Sequence, residues 1–564
     1  MTLFLLWQIA CSSLIALVFA AVGGSLGPMT SACALVLGAV ASYFISGADP
    51  VSKTIFIDPK NKSTETVWLE RAVVAFVMYL CYRHFLYMFY EVGAEFKTLN
   101  VNNYGDLPLH INYIRQIAGG ASFPWVNPSF SLDLLRYPLG LDLYNALWEA
   151  VGVRLPAHLF VVGIVCCALT VRMVRIAASW WGLVGLYLSG GFGGWAAANS
   201  SAAEIQSALA WKNIFLAVIT TQRGFLFALP VGLYLILRAR KQEKLSWTFG
   251  LMWGALAFFH LHSFAIVSLI LGGESLIRKD VKKFLPSLLI AVPIGSAFVL
   301  YSSMGLKSGT FIRWQWGWTN TQYSTFNYLN YNFGPYLYLA IGVGLYFALT
   351  ILLNRKIQTP LREVAKLYWL HFALFALFFN LIVAPWDWDN IKVLIWPYLL
   401  ILSGWSALNP QLRPGLQIIL VVILGWSGFT AVWPTVVSTA ASAGIYQQGE
   451  LAKVKAALSK VPQDAVLLAA TTHNHPLTFF GRERAIGYEG HLWSHGIQAQ
   501  DQVAKLKKIF ADDPAWRVLA KELRVTHIYW GNDERTQFGH QARSWQLPEN
   551  NISDVEDIAI YEIK

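Results

Sequence analysis

Apolar segments of membrane-spanning length recur along this chain, separated by polar and aromatic-rich intervals. A helix needs about 17–25 apolar residues to cross a bilayer, because each residue advances it about 1.5 Å through about 30 Å of hydrocarbon. Such segments fall near 3–23, 29–47, 68–90, 156–177, 178–195, 284–302, 335–353, 364–383, 391–407 and 415–437, with a shorter one at 224–238. Residues 248–277 are too many for one helix, and the interruption Phe259-His-Leu-His-Ser263 predicts two short helices there. The expected total is about thirteen. With 55% hydrophobic and 13% charged residues, against about 25% charged in soluble domains, the chain reads as an α-helical polytopic membrane protein.

A net charge of +11 in a soluble protein would point to nucleic acid. Here the basic residues cluster between apolar segments, so membrane topology accounts for them and no nucleic-acid partner is expected. Lys53, Lys60, Lys62 and Arg71 form one group, Arg238, Arg240, Lys241 and Lys244 another, and Arg278, Lys279, Lys282 and Lys283 a third. Alternating the segments puts these groups on one side, which the positive-inside rule makes the cytoplasm. The first outer loop is then 91–155, and residues from about 440 onward also lie outside.

Three regions follow: residues 1–67 as an N-terminal hairpin with its inner loop, 68–439 as the main transmembrane domain, and 440–564 as a small extracytoplasmic α/β domain. In the last, the runs Ala465–Ala469 and His527–Trp530 alternate like strands, and a helical pattern covers about 500–523. The five cysteines, Cys11, Cys33, Cys81, Cys166 and Cys167, all sit in apolar segments and show neither disulfide nor metal spacing.

The residues able to carry chemistry fall on the outer side, where nucleotides are lacking and group transfer needs a lipid-linked donor. Asp106 and His110 are four residues apart in Tyr104-Gly-Asp-Leu-Pro-Leu-His110. If Asp106 caps a helix with Pro108 in its first turn, both fall on one face, beside the apolar stripe Leu107, Ile111, Ile114 and Ala118 of a helix lying on the membrane surface. Asp106 is a candidate general base; the plainer reading is a helix cap with an interfacial histidine. Glu204 is a candidate second carboxylate or metal ligand in an otherwise weakly charged loop, or a solvated charge. Arg223, opening the segment after Thr220-Thr-Gln, suits bidentate phosphate binding, or else snorkels at a helix end. His260 and His262 suit phosphate contact or hydrogen-bonded packing better than metal. In Pro385-Trp-Asp-Trp-Asp-Asn-Ile-Lys392, Asp387, Asp389 and Lys392 gather where a helix re-enters the membrane, flanked by Trp386 and Trp388 as sugar-stacking platforms; Asp389 and Lys392 also have the spacing of an ion pair. Arg313 opens a Trp-rich loop, 313–318, fit for a membrane belt or carbohydrate contact.

The blocks "GDLPLHI", "TQRGFLFALP", "FHLHSF", "WDWDNIK" and "FGRERAIGYEGHLWSHGI", on this layout of helices, resemble the GT-C superfamily of integral membrane glycosyltransferases. The resemblance implies inverting transfer of a sugar from a polyprenyl-phosphate donor to a glycan, lipid or protein acceptor, at the outer face of a bacterial inner membrane whose lipids surround the chain. Asp106 matches the first-loop catalytic acid, with His110 beside it. Arg223, with His260 or His262, would hold the donor phosphate, leaving Glu204, Arg313, Trp386, Asp387, Asp389 and Lys392 for acceptor and sugar. Two helices precede the first-loop module, and the acid is a single Asp rather than a pair, so the cofactor, a divalent Mg or Mn ion, is left open. An envelope oligosaccharide ligase or polymerase with an arginine-centred site is the alternative, and a lipid-linked glycan transporter a further one.

Overall fold

The computed structural model describes residues 1–48, 64–196, 209–304, 312–321, 323–353, 359–406, 408 and 412–563. The chain is mostly helical, 67% of it. The helices up to the middle of the chain are α1 (Thr2–Gly23), α2 (Pro28–Ala48), α3 (Thr64–Leu86), α4 (Asn103–Ala118), α5 (Gly140–Ala150), α6 (Leu155–Tyr187), α7 (Gly193–Ala196), α8 (Arg223–Lys241), α9 (Trp247–Phe259), α10 (Leu261–Arg278) and α11 (Leu285–Ser303). Then follow α12 (Thr325–Phe333), α13 (Pro335–Leu353), α14 (Thr359–Phe378), α15 (Ile391–Ser406) and α16 (Pro414–Val437).

Among the described residues, seven helices are long and apolar enough to cross a membrane: α1, α2, α6, α10, α11 with the turn before it, α13 and α16. This is the make-up of a helical membrane-embedded protein, with fewer such helices than the thirteen expected. The difference has a physical cause. Helix α8 is buried from Arg223 to Ala239, and α15 from Ile391 to Leu402. Neither has the length and composition of a span: α8 carries Arg223, Arg238, Arg240 and Lys241, and α15 has 16 residues. In contrast, α11 leaves Leu289, Val292 and Leu300 exposed, and α16 leaves Ile418, Ile419 and Val422 exposed. The segments expected at 156–177 and 178–195 form one element, α6, broken by Ser179 at φ 54°, and the piece beyond the break ends at Tyr187. That piece is about 12 Å long, too short to span. The break in 248–277 does occur: His260 takes an extended conformation between α9 and α10.

Three short antiparallel pairings build the polar side. Strands β1 (Tyr90–Val92) and β2 (Glu95–Thr98) join β7 (Ala443–Gln447) in one sheet, stitching the start of the first long loop to the segment after α16. Strands β3 (Val126–Asn127) and β4 (Phe130–Leu134) form a hairpin, and β5 (Arg313–Trp314) pairs with β6 (Leu381–Ile382). The C-terminal region carries a four-stranded sheet ordered β10-β11-β9-β8 from β8 (Leu467–Leu468), β9 (His527–Trp530), β10 (Asn551–Val555) and β11 (Ile558–Glu562). Strands β8 and β9, which the alternating runs predicted, pair in parallel. Helices α17 (Gln448–Leu458), α18 (Glu489–Ser494), α19 (Gln500–Phe510), α20 (Trp516–Glu522) and α21 (Asn532–Phe538) complete this region. Ser131 N–H bonds Arg484 O, and Arg484 N–H bonds Pro128 O, so the β3–β4 hairpin is clamped to it.

Candidate functional site

Helix α4 starts at Asn103, three residues before Asp106, so Asp106 lies in its first turn and is not its cap. Nor does the helix lie on a surface with one face buried: His110, Ile111, Asn112, Tyr113 and Ile114 are all buried in succession. Pro108 has no N–H to give the carbonyl four residues back. That carbonyl, Tyr104 O, instead accepts from Asn474 Nδ2 of the C-terminal region at 2.9 Å. Gly105 is needed here, since a Cβ on it would lie 2.4 Å from His473 Nε2. The polar loop before α4 is fixed from the other side, where Asn100 Nδ2 donates to Thr220 Oγ1 at 2.6 Å.

These anchors bring five separate stretches of chain around Asp106. Gln222, which precedes α8, donates from Nε2 to Asp106 Oδ2 at 2.8 Å. Burial drives the Asp106 carboxyl above the usual range; His110 and Lys392 pull it down, and Asp389 adds to the rise. His110 Nδ1 meets Asp142 Oδ2 of α5 at 2.8 Å, with both side chains 2% exposed. With the proton on Nδ1, Nε2 is left as an acceptor; that tautomer is assigned from the bond to the carboxylate. Asp142 Oδ1 is buried without a partner among the described residues.

Lys392 opens α15 and pairs with Asp389 at 3.1 Å, as their spacing allowed. Its charge acts on His260, His262 and His495 as well as on Asp106. His260 Nδ1 accepts from Ser263 N–H at 3.1 Å, which makes it the N-cap of α10 and fixes the turn that carries His262. The two imidazole centroids are 5.6 Å apart.

The C-terminal region supplies the remaining wall. His473, Tyr488 and His491 pack against one another, tilted or edge-on, with His473 centred 4.4 Å from Tyr488 and 5.2 Å from His491. Tyr137 lies between His495, at 5.0 Å, and His110, at 6.0 Å. Burial pushes His495 down to about 4, helped by Lys392 and His110, and pushes His491 well below the usual imidazole value, helped by His495 and His473. Burial also holds the Tyr137 phenol well above its usual value, so it stays a proton donor at neutral pH.

The remaining candidates lie elsewhere. Arg223 is 2% exposed, with Nη1 3.7 Å from Met88 Sδ and with Nε and Nη2 unpartnered among the described residues. Asp142 is the acidic group whose charge acts on it. Arg223 thus stands behind the Asp142–His110 pair. Asp387 forms an ion pair with Arg313 and accepts from Gln315 Nε2 at 2.9 Å, which ties the Trp-rich loop to the turn before α15. Trp386 is exposed and Trp388 donates to Ala210 O at 2.9 Å; their rings are 5.3 Å apart. Glu204 lies outside the described residues.

No protein-family model and no curated protein matches this chain. Among the described residues no group of three His, Cys, Asp or Glu side chains is arranged to hold a metal ion.

Asp142 is the main residue that sequence reasoning missed. It is an ordinary acid in the amphipathic run Gly140–Ala150, and its partner lies 32 positions away. His491 was also passed over, although it lies within the block FGRERAIGYEGHLWSHGI. The assembled groups can accept a proton at Asp106, orient a hydroxyl beside His110, and gather positive charge at Lys392.

Proposed function

We propose that this protein is a glycosyltransferase that moves a sugar from a polyprenyl-phosphate donor to an acceptor hydroxyl outside the cytoplasm, with inversion. The observation that carries the reading is the gathering of Asp106, the His110–Asp142 pair and Lys392 with Asp389 into one cluster, at the ends of helices from a membrane-embedded bundle. A carboxyl raised toward neutrality is a better general base than an ordinary one, because proton transfer is most effective when its pKa approaches the working pH. In the reaction, Asp106 takes the acceptor's hydroxyl proton. The acceptor oxygen forms the new bond to the anomeric carbon while the bond from that carbon to the donor phosphate oxygen breaks. The polyprenyl phosphate leaves as an anion, and Lys392 is the cation positioned to stabilise its developing charge. This assigns to Lys392 the role that the sequence pattern pointed to at Arg223.

An apolar cavity of about 240 Å³, lined by residues including Leu329, Phe333, Phe375, Phe379 and Tyr398, supports a lipid-linked donor. Asn380, also in its lining, accepts from Gly317 N–H, and the adjacent Trp318 donates to Asp387 O. An isoprenoid lying there would end close to the turn that carries Asp389. The clustering of basic residues between apolar segments supports a reading in which the site faces away from the cytoplasm.

The deciding experiment is transfer from a panel of synthetic polyprenyl-phosphate sugars, with and without EDTA, by wild type and Asp106→Asn. Transfer by wild type that is lost in the variant is the expected result. Full activity in Asp106→Asn would move the reading to the arginine-centred ligase, and no transfer from any donor would reject glycosyl transfer.

A further inference from the structure

A second cavity, of about 230 Å³, is lined in part by Tyr137, whose ring lies 6.0 Å from that of His110. Three parts of the chain build it: the β3–β4 hairpin with the residues after it, the end of α11, and the stretch from His495 to Gln502. Its lining mixes Asn127, Arg136, Gln498 and Gln502 with Leu134 and Ile497. Tyr137 and His495 belong both to this lining and to the cleft, so one aromatic layer separates the cavity from His110. Gln502 Oε1 is buried there without a hydrogen-bond partner among the described residues, and an acceptor atom in that state calls for a donor. Arg136 is held in place through Asp133 at 2.9 Å. Amides with free hydrogen-bonding capacity and a paired guanidinium beside apolar side chains suit a sugar ring, which shows hydroxyls at its edge and C–H groups on its face.

The position of the cavity adds to this. Ser302 and Met304 form part of its rim, and they end the span of α11. That helix presents Leu289, Val292 and Leu300 outward, 77%, 54% and 64% exposed, in line with Met304 at 60%. A polar chamber at the end of a lipid-facing helix receives a ligand whose head is polar and whose tail stays in the bilayer.

We propose that this cavity binds the saccharide headgroup of a membrane-anchored acceptor, whose tail lies along the exposed face of α11. This rests on the glycosyltransferase reading for the word acceptor, but the binding itself does not.

The test is saturation-transfer NMR on the full chain in lipid nanodiscs, with methyl and hexyl glycosides of glucose, galactose, mannose and N-acetylglucosamine as probes and empty nanodiscs as blank. At least one hexyl glycoside is expected to receive saturation at its sugar protons above the blank, with its methyl counterpart bound at least about tenfold more weakly, the effect of losing about two buried methylenes. Arg136→Ala with Gln502→Ala removes polar contacts, and Leu134→Trp fills the space while leaving those contacts in place; each is expected to weaken binding about tenfold or more. Equal binding of methyl and hexyl forms would overturn the membrane anchor in favour of a soluble glycan. Unchanged binding in both variants, or no signal above the blank, would overturn the site. Failure of the donor panel would reject glycosyl transfer and leave the binding result standing.

Discussion

His110 Nδ1 and Asp142 Oδ2 are 2.8 Å apart in a setting where neither side chain is more than 2% exposed. A buried carboxylate against an imidazole fixes the ring's orientation and tautomer, and so decides which nitrogen faces the reacting groups. Asp142→Asn preserves the shape of this contact and removes its charge. Transfer is expected to fall on the order of 10²-fold, the low end of what a positioned proton-transfer group contributes. The fall should appear in kcat with the donor KM unchanged; a change confined to KM would assign Asp142 to substrate binding instead.

Asp106→Asn is expected to lose about 10²–10⁴ of the rate, the range for removing a general base. The same substitution should not destabilise the fold at neutral pH. Burial raises the Asp106 carboxyl above its unfolded value, so the folded state favours the protonated form. The stability this lends is fully present below the unfolded pKa and is lost as pH rises through the folded one. At pH 8 the wild type must hold a charged, desolvated carboxylate, and the amide need not. Thermal unfolding of the pair should therefore show the variant equal to or above wild type at pH 8, with its advantage shrinking toward pH 4. The acid limb of the wild-type pH–rate profile should lie above the ordinary carboxylate range, and a limb within that range would mean that Asp106 is not the base.

The parts of this site that sequence made legible are those where a polar residue had no reason to be. Asp389 and Lys392 stand at the edge of an apolar helix, and Asp106 follows a long apolar segment; such placements are costly unless the charges are paired or used. The break at His260 was legible because two histidines interrupt an apolar run. What stayed hidden depends on contacts between distant positions. Asp142 looks like any acid in the first turn of a helix, and nothing local to Arg223 reveals that it faces Met88. Among the described residues seven helices are long and apolar enough to span, and the apolar runs at α8 and α15 form buried helices that fall short of that measure, α8 by its basic residues and α15 by its 16-residue length.

The C-terminal region depends on one buried pair. Glu534 is fully enclosed and accepts from His475 Nε2 at 3.1 Å, Ala470 N–H at 2.6 Å and Gly531 N–H at 2.9 Å. Burial alone would raise its carboxyl, but His475 and the backbone donors hold it below the usual range. Glu534→Ala leaves three buried donors without an acceptor, and is expected to destabilise the region by about 3–5 kcal/mol. Hydrogen exchange of the amides in β8 and β9 reads this directly. Since Asn474 adjoins His475 and caps the carbonyl that Pro108 frees, the first turn of α4 should lose protection in the same variant; unaltered protection there would separate the C-terminal sheet from the placement of Asp106.

Arg223 distinguishes a residue that binds substrate from one that supports the site from behind. Among the described residues its buried guanidinium has Nε and Nη2 unpartnered and donates to a thioether, a weak acceptor. Such a charge is costly to the fold, so Arg223→Met, which keeps an unbranched chain of similar reach, is expected to be neutral or stabilising in thermal unfolding. If Arg223 acts through Asp142, the substitution leaves the donor KM near wild type and lowers kcat, and combining it with Asp142→Asn adds little further loss, as expected of groups that work as a unit. If it grips the donor phosphate, KM rises instead and the two losses add. The double-mutant cycle therefore tells which side of the His110–Asp142 pair Arg223 serves, and additive losses would return the phosphate role to Arg223 and take it from Lys392.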